Sequence, residues 1–258
     1  MPHKEDITIC IKGRLIDFKT PKVMGIVNFT TDSFYEKSRW NLESLKDADI
    51  IDIGGCSTRP GSSPVDKAQE KKQLSKGISM LRERFPDAII SVDTFRSSIA
   101  QWAIEEKGVD IINDVSGGMT NMFETAAKNN VPYILTYSEE GFSSDMMLFF
   151  SKKIEKLYSL GLSDIILDPG FGFNKTMEQN FEIVKNMDCL KCFNLPILVG
   201  ISRKSMVQYA TGTNANSALN GTTALNTILL EKGANILRVH DTKEAKEVVN
   251  IFKHTYNL

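Results

Sequence analysis

Long apolar runs are missing from this chain. None reaches the ~18 to 20 residues of a membrane span, and Met1 to Phe18 interleaves charged with apolar residues, unlike the apolar centre of a secretory signal. Charge of one sign is missing as well, since 31 Lys and Arg stand against 32 Asp and Glu, a formal net charge of -1. No global field then draws the protein to nucleic acid or an anionic membrane, and any phosphate must be met by a local site. Only four cysteines occur, at positions 10, 56, 189 and 192. The lone C-x-x-C from Cys189 to Cys192 has no second ligand pair to complete a zinc site. It is either a redox pair or two incidental thiols of a reducing cytosol, and the expected location is cytoplasmic. Pro/Gly/Ser-rich linkers and low-complexity tracts are absent too, so residues 1–258 are expected to form one domain.

What is present is an alternation. Short β-branched runs recur at Val23–Val27, Ile50–Ile53, Ala88–Val92, Val109–Ile112, Val131–Leu135, Asp164–Leu167, Leu195–Ile201 and Ala234–Val239. Near-continuous apolar runs of this length suit parallel strands buried on both faces. Helical spacing fills the gaps: Leu74, Ile78, Leu81 and Phe85; Met177, Phe181 and Val184; and Ala245, Val248, Val249 and Phe252 behind a cap at Asp241 or Thr242. Eight βα units predict an α/β fold closed as a (β/α)8 TIM barrel, which leaves no open sheet edge; a doubly wound open sheet is the alternative. Before the first unit, Ile7, Ile9, Ile11, Gly13, Leu15 and Ile16 carry a β-hairpin pattern within residues 1–20, placed to cap the barrel bottom.

Barrel enzymes build their sites at the C-terminal strand ends. Those ends carry Asn28, Gly54-Gly55, Asp93, Asn113-Asp114, Tyr137, Asp168, Ser202-Arg203-Lys204 and Arg238-Val239-His240. Acids, amides and cations converging on one mouth predict a site for a polar, partly anionic small molecule. Taken singly, Asp168 could be a turn acid before Pro169-Gly170, Asp93 a helix cap with Thr94 as the competing candidate, and His240 a partly buried structural histidine.

The segments Met24-Gly25-Ile26-Val27-Asn28-Phe29-Thr30-Thr31-Asp32-Ser33-Phe34, Asp52-Ile53-Gly54-Gly55-Cys56-Ser57-Thr58-Arg59-Pro60-Gly61 and Ser91-Val92-Asp93-Thr94 open a series. Ile112-Asn113-Asp114-Val115-Ser116-Gly117, Leu167-Asp168-Pro169-Gly170-Phe171-Gly172-Phe173, Gly200-Ile201-Ser202-Arg203-Lys204-Ser205 and Leu237-Arg238-Val239-His240-Asp241 complete it. In this order, from Val23 onward, the chain resembles the dihydropteroate synthases. The resemblance implies condensation of p-aminobenzoate with 6-hydroxymethyl-7,8-dihydropterin pyrophosphate in folate biosynthesis, a sulfonamide target, and a homodimer. It also implies Asp93, Asn113, Asp168 and Lys204 around the pterin, with Asp93 and Lys204 catalytic. Asn28, Thr58, Arg59, Arg238, Val239 and His240 are implied at the pyrophosphate, Asn28 also as the Mg²⁺ ligand. Phe34, Thr58, Pro60, Phe173 and Ser205 are implied around p-aminobenzoate. A pterin-binding methyltransferase domain, which would need a corrinoid partner, and a non-catalytic pterin-binding paralogue are the alternatives.

Four departures from the family pattern stand out. Cys56 replaces a common Glu, and Thr31 a common Pro ahead of a short first helix within Glu36 to Asp47. The fifth strand ends in Tyr137-Ser138-Glu139-Glu140 without the family's His-Met pair.

Overall fold

The computed structural model describes residues 7–29, 42–55, 65–139 and 144–258. Its first element is the expected hairpin, β1 (Thr8–Ile11) with β2 (Arg14–Asp17), paired antiparallel so that Ile11 faces Arg14. Lys12 and Gly13 make the turn with positive φ at both positions, the backbone that a two-residue hairpin requires.

Eight parallel strands follow: β3 (Lys22–Asn28), β4 (Ile50–Gly54), β5 (Ile89–Asp93), β6 (Ile111–Asp114), β7 (Tyr133–Thr136), β8 (Ile165–Asp168), β9 (Leu198–Val199) and β10 (Ile236–Val239). They pair in the order β8-β7-β6-β5-β4-β3-β10-β9. A single parallel bridge, Leu167 to Ile197, joins the two ends and closes the barrel. β9 is short because Pro196, directly before Ile197, has no N–H to give the ladder.

Helices α1 (Lys67–Arg84), α2 (Ser97–Lys107), α3 (Thr120–Asn129), α4 (Ser144–Ser159) and α5 (Met177–Asn186) follow β4 to β8 in turn. After β9 come α6 (Ser205–Thr211) and α7 (Leu219–Glu231), and α8 (Thr242–Tyr256) follows β10. Behind β3, the described residues hold one 3-10 turn, Leu42–Leu45, in place of the expected short helix; residues 36–41 of that expectation lie outside them. Leu74, Ile78 and Leu81 of α1, and Ala245, Val248 and Val249 of α8, are buried as their spacing demands.

Strand alternation sorts side chains into two sets. Outward residues such as Ile51, Ile53, Ile90 and Val92 pack under the helices. Inward residues form layers along the barrel axis. The lowest contains Met24, Ile50, Ile111, Ile134, Ile166, Leu198 and Ile236, in one buried cluster with Ile9, Ile11 and Phe18 of the hairpin segment. The hairpin therefore covers the barrel bottom. Lys12 fastens its turn there, donating to the Gly108 carbonyl at 2.9 Å and pairing with buried Asp110, which also holds Arg82 at 3.0 Å.

Candidate active site

One layer further up, the barrel interior changes character. Register puts Asp52 beside Ser91, Asp93 beside Asn113 and Thr136 beside Asp168, all pointing inward. Each of the six is at most 6% exposed. Five oxygens in this set have no hydrogen-bond partner among the described residues: Asp52 Oδ1, Ser91 Oγ, Asp93 Oδ1, Asn113 Oδ1 and Thr136 Oγ1. Buried polar atoms are nearly always satisfied in a working protein, so this layer is built to meet a ligand rich in donors, or water.

Two cations balance the three acids. Arg238 on β10 donates from Nε to Asp52 Oδ2 at 2.7 Å and from NH2 to Asp93 Oδ2 at 2.8 Å. Burial works against its charge, yet Asp52 and Asp93 hold its pKa above the ordinary arginine range. Asp93 is pushed up to about 7, first by burial and then by the negative charges of Asp52, Asp114 and Glu70, with Arg238 opposing. Lys204 donates to the Phe171 carbonyl and lies 4.9 Å from the Phe173 ring centre. Burial lowers its pKa to about 8 against the pull of Asp168. Burial raises Asp168 in turn, with Lys204 and the Gly170 N–H, 2.8 Å from Oδ1, opposing. The loop that carries Asp168 requires glycine at position 170: φ is +69°, and a Cβ there would sit 2.0 Å from the Tyr137 carbonyl oxygen.

Above this layer a cleft of about 910 Å³ opens at the strand ends, lined by Asn28, Phe173, Lys204, Ser205, Arg238 and His240 among others. Arg238 and His240 share it, as i and i+2 on a strand should. Asn28 and His240 are exposed there, and His240 Nδ1 lies 3.1 Å from Ser202 Oγ. Arg203 takes a left-handed backbone (φ 55°) and grips Asp241 with Nε and NH2 at 2.8 and 2.9 Å. That pairing uses the carboxylate expected to cap α8, so α8 starts without a side-chain cap.

Several expectations change in detail. Val239 faces outward and is buried among the helix-facing apolar residues, so only its main chain can serve the mouth. Tyr137 also faces outward, edge-on to Phe149, and the inward residue at that strand end is Thr136. Neither Asp93 nor Thr94 caps α2, whose N-cap Arg96 has no side-chain cap bond. Thr94 Oγ1 instead donates to buried Glu70 at 2.6 Å, which leaves Asp93 to the barrel interior. Phe34, Thr58, Arg59 and Pro60, with Thr31, Asp32 and Cys56, lie outside the described residues.

Two participants were missed. Asp52 is an acid between Ile51 and Ile53 in an otherwise apolar strand, a signal available in the sequence. Lys175 donates to three carbonyls, of Tyr137, Gly170 and Phe173, at 2.9 to 3.1 Å, tying the Asp168 loop together. Its position seven residues beyond Asp168 gave no such hint.

Comparison with known proteins addresses the same residues. The family model described as pterin binding enzyme matches residues 24–240. A dihydropteroate synthase of Clostridium beijerinckii is 37% identical, over 86% of this chain and 89% of its own. The crystal structure of 7,8-dihydropteroate synthase from Vibrio fischeri superposes with a TM-score of 0.88 at 33% identity, covering 97% of this chain and 98% of its own. The Xanthomonas albilineans dihydropteroate synthase with 4-aminobenzoic acid gives a TM-score of 0.89 at 26% identity, covering 98% of this chain and 100% of its own. The match spans both the strands that make the barrel and the polar layer they enclose, and the chain belongs to the pterin binding enzyme family, among its dihydropteroate synthases.

Proposed function

We propose that the barrel mouth binds 6-hydroxymethyl-7,8-dihydropterin pyrophosphate, ring inward, and joins its methylene carbon to the amine of p-aminobenzoate. The carbon–oxygen bond to pyrophosphate breaks, the carbon–nitrogen bond forms, and the amine gives up a proton. The observation that carries this reading is the layer of orphaned acceptors beneath a cationic rim. A reduced pterin presents an N–H beside an exocyclic amine, a match for carboxylate acceptors. Asp168 takes that edge, Asn113 a neighbouring one, and Lys204 donates to the ring. Asp93 stabilises positive charge that develops on the pterin methylene as pyrophosphate leaves. Phe173 and Ser205 border the amine pocket.

Arg238, His240 and Asn28 serve the pyrophosphate. Asn28 offers one exposed amide oxygen, and the described residues hold no cluster of three or more His, Cys, Asp or Glu that could bind a metal. Such a donor set fits Mg²⁺ held mainly by substrate phosphates and water, where it would neutralise leaving-group charge. We further propose that the chain acts as one domain within a cytoplasmic homodimer. Exposed Tyr209 on α6, Ile228 on α7 and Ile251 on α8 support self-association, and the free thiols of Cys10, Cys189 and Cys192 suit a reducing compartment. No described helix is long and apolar enough to cross a membrane.

Incubation with the pterin pyrophosphate, with and without p-aminobenzoate, tests the reaction. Pyrophosphate and dihydropteroate are the expected products; tight pterin binding without pyrophosphate release under either condition would make this a binding protein only. Asp168→Asn replaces an acceptor by a donor at the pterin edge. A mispaired buried group costs ~1 to 3 kcal/mol, so calorimetry should read a loss of affinity of roughly tenfold or more, and unchanged affinity would remove Asp168 from the slot.

The pH dependence follows from the two buried groups. Asp93 must be ionised to stabilise a cation, and Lys204 must be protonated to donate. kcat/KM should therefore rise through an apparent pKa of about 7 and fall through about 8. A profile flat from pH 6 to about 9 would show that neither group titrates in the free enzyme as described.

A further inference from the structure

Asp52 is fully buried in the middle of β4, at a depth where an unpaired carboxylate would cost several kcal/mol. Its Oδ2 gathers three donor contacts: Arg238 Nε at 2.7 Å, Arg238 NH2 at 2.6 Å and Asn113 Nδ2 at 3.0 Å. Each constrains another side chain. The two ends of an asparagine amide are alike in shape, and the hydrogen-bond partner decides which way they face. Because Nδ2 of Asn113 is committed to Asp52, the end left over is Oδ1, buried and without a partner among the described residues. Arg238 is fixed in the same way. With Nε on Asp52, its NH2 lies between Asp52 Oδ2 and Asp93 Oδ2, and Asp93 Oδ1 is left without a partner among the described residues.

We infer that Asp52 is a positioning residue for the pterin reaction, setting the face that Asn113 offers to the heterocycle and seating Arg238 against Asp93 in the cleft wall. The inference rests on the pterin reading of the barrel mouth, and pterin binding by the unaltered protein checks that reading separately. Its influence reaches the ligand through two neighbours, so a purely structural ion pair is the competing account. The two differ in what a reversed pair should do.

Asp52→Asn keeps the side-chain volume but lets the Asn113 amide turn over. Titration with phosphate-free 6-hydroxymethylpterin should show affinity reduced by roughly tenfold, the equivalent of one mispaired buried group. The KM for p-aminobenzoate should stay within about twofold, since that pocket lies apart from the altered bond. Asn113→Asp alone sets two carboxylates face to face and should lose at least as much pterin affinity. Combining Asp52→Asn with Asn113→Asp restores one donor opposite one acceptor between the two positions, at the loss of the Arg238 contacts to that atom, leaves the cluster charge unchanged and returns an acceptor to the slot. The double variant should bind pterin at least about threefold more tightly than either single variant, a coupling that independent sites do not show. Additive losses in the double variant, or unchanged pterin affinity in Asp52→Asn, would overturn the inference. Should Asp52→Asn fail to fold, the unaltered protein still decides. The side-chain amide protons of Asn113, identified by their loss in Asn113→Ala, should exchange slowly with solvent in NMR spectra. Rapid exchange would mean that Asp52 does not hold them.

Discussion

Asp93→Asn is expected to lower kcat by ~100-fold or more, about 2.7 kcal/mol at ~1.36 kcal/mol per decade. Asp93 sits beside Asn113 at the top of β5 with one carboxylate oxygen on Arg238 and the other without a partner among the described residues. A carboxylate so placed acts most strongly when the pterin methylene becomes cationic, after its bond to pyrophosphate weakens. An amide keeps the shape and one acceptor, so binding of the uncharged pterin should fall much less than the rate. If release precedes amine attack, the variant should also lose whatever slow pyrophosphate release the unaltered protein makes without p-aminobenzoate. Quenched-flow measurement on both proteins, with and without the amine, separates these steps. A raised KM with kcat intact would recast Asp93 as a group that binds ground state and transition state alike. Release by the unaltered protein only when the amine is bound would count against the stepwise route.

Arg238→Ala should damage both stability and phosphate recognition. Asp52 and Asp93 would be left buried together with no cation between them, and breaking a buried pair in this way costs ~3 to 5 kcal/mol. Urea unfolding at pH 8 should register the loss. It should shrink on acidification, because Asp93 can take up a proton. In the unaltered protein the sign is already unusual for an acid. Asp93 has a folded-state pKa near 7 against an ordinary 3.8, so the folded state holds the proton more tightly than the unfolded chain. Its contribution to stability is therefore greatest below about pH 4 and declines as pH rises towards 7. Pyrophosphate and the pterin pyrophosphate should lose more affinity for the variant than a pterin without phosphates does. Equal losses would assign Arg238 to the support of Asp52 and Asp93 alone, and unchanged stability would contradict the buried network.

Much of this arrangement was legible in the chain. Inward and outward residues of a parallel barrel strand are both apolar near its base, so the strands stood out as runs such as Val109–Ile112, which the structure shifts two residues onward to β6 (Ile111–Asp114). The site was legible where polar residues end those runs, as at Asn28, Asp93, Asn113, Asp168, Lys204 and Arg238. Reading only the ends has a cost in a pleated strand, where neighbouring residues face opposite ways. Tyr137 and Val239 are as close to the mouth in sequence as Thr136 and Arg238, yet they point under the helices. Asp52 was passed over because it lies within its apolar run. The cap expected at Asp241 failed for a different reason. Arg203, which is 38 residues away, claims the carboxylate, and no local pattern records that.

The way the cylinder closes bears on how it moves. Seven of its eight joints are ladders of two or more paired residues, whereas β8 and β9 meet in the single bridge from Leu167 to Ile197. That joint is the least braced of the eight. Lys204, just beyond β9, reaches over it to the Phe171 carbonyl beyond β8, so one ammonium group serves as donor to the site and as suture across the seam. A pterin held between Asp168 and Lys204 would add a second stitch. Occupancy and closure are then expected to be coupled: opening should start at this joint, and alkali that discharges Lys204 should loosen the wall and weaken the site together.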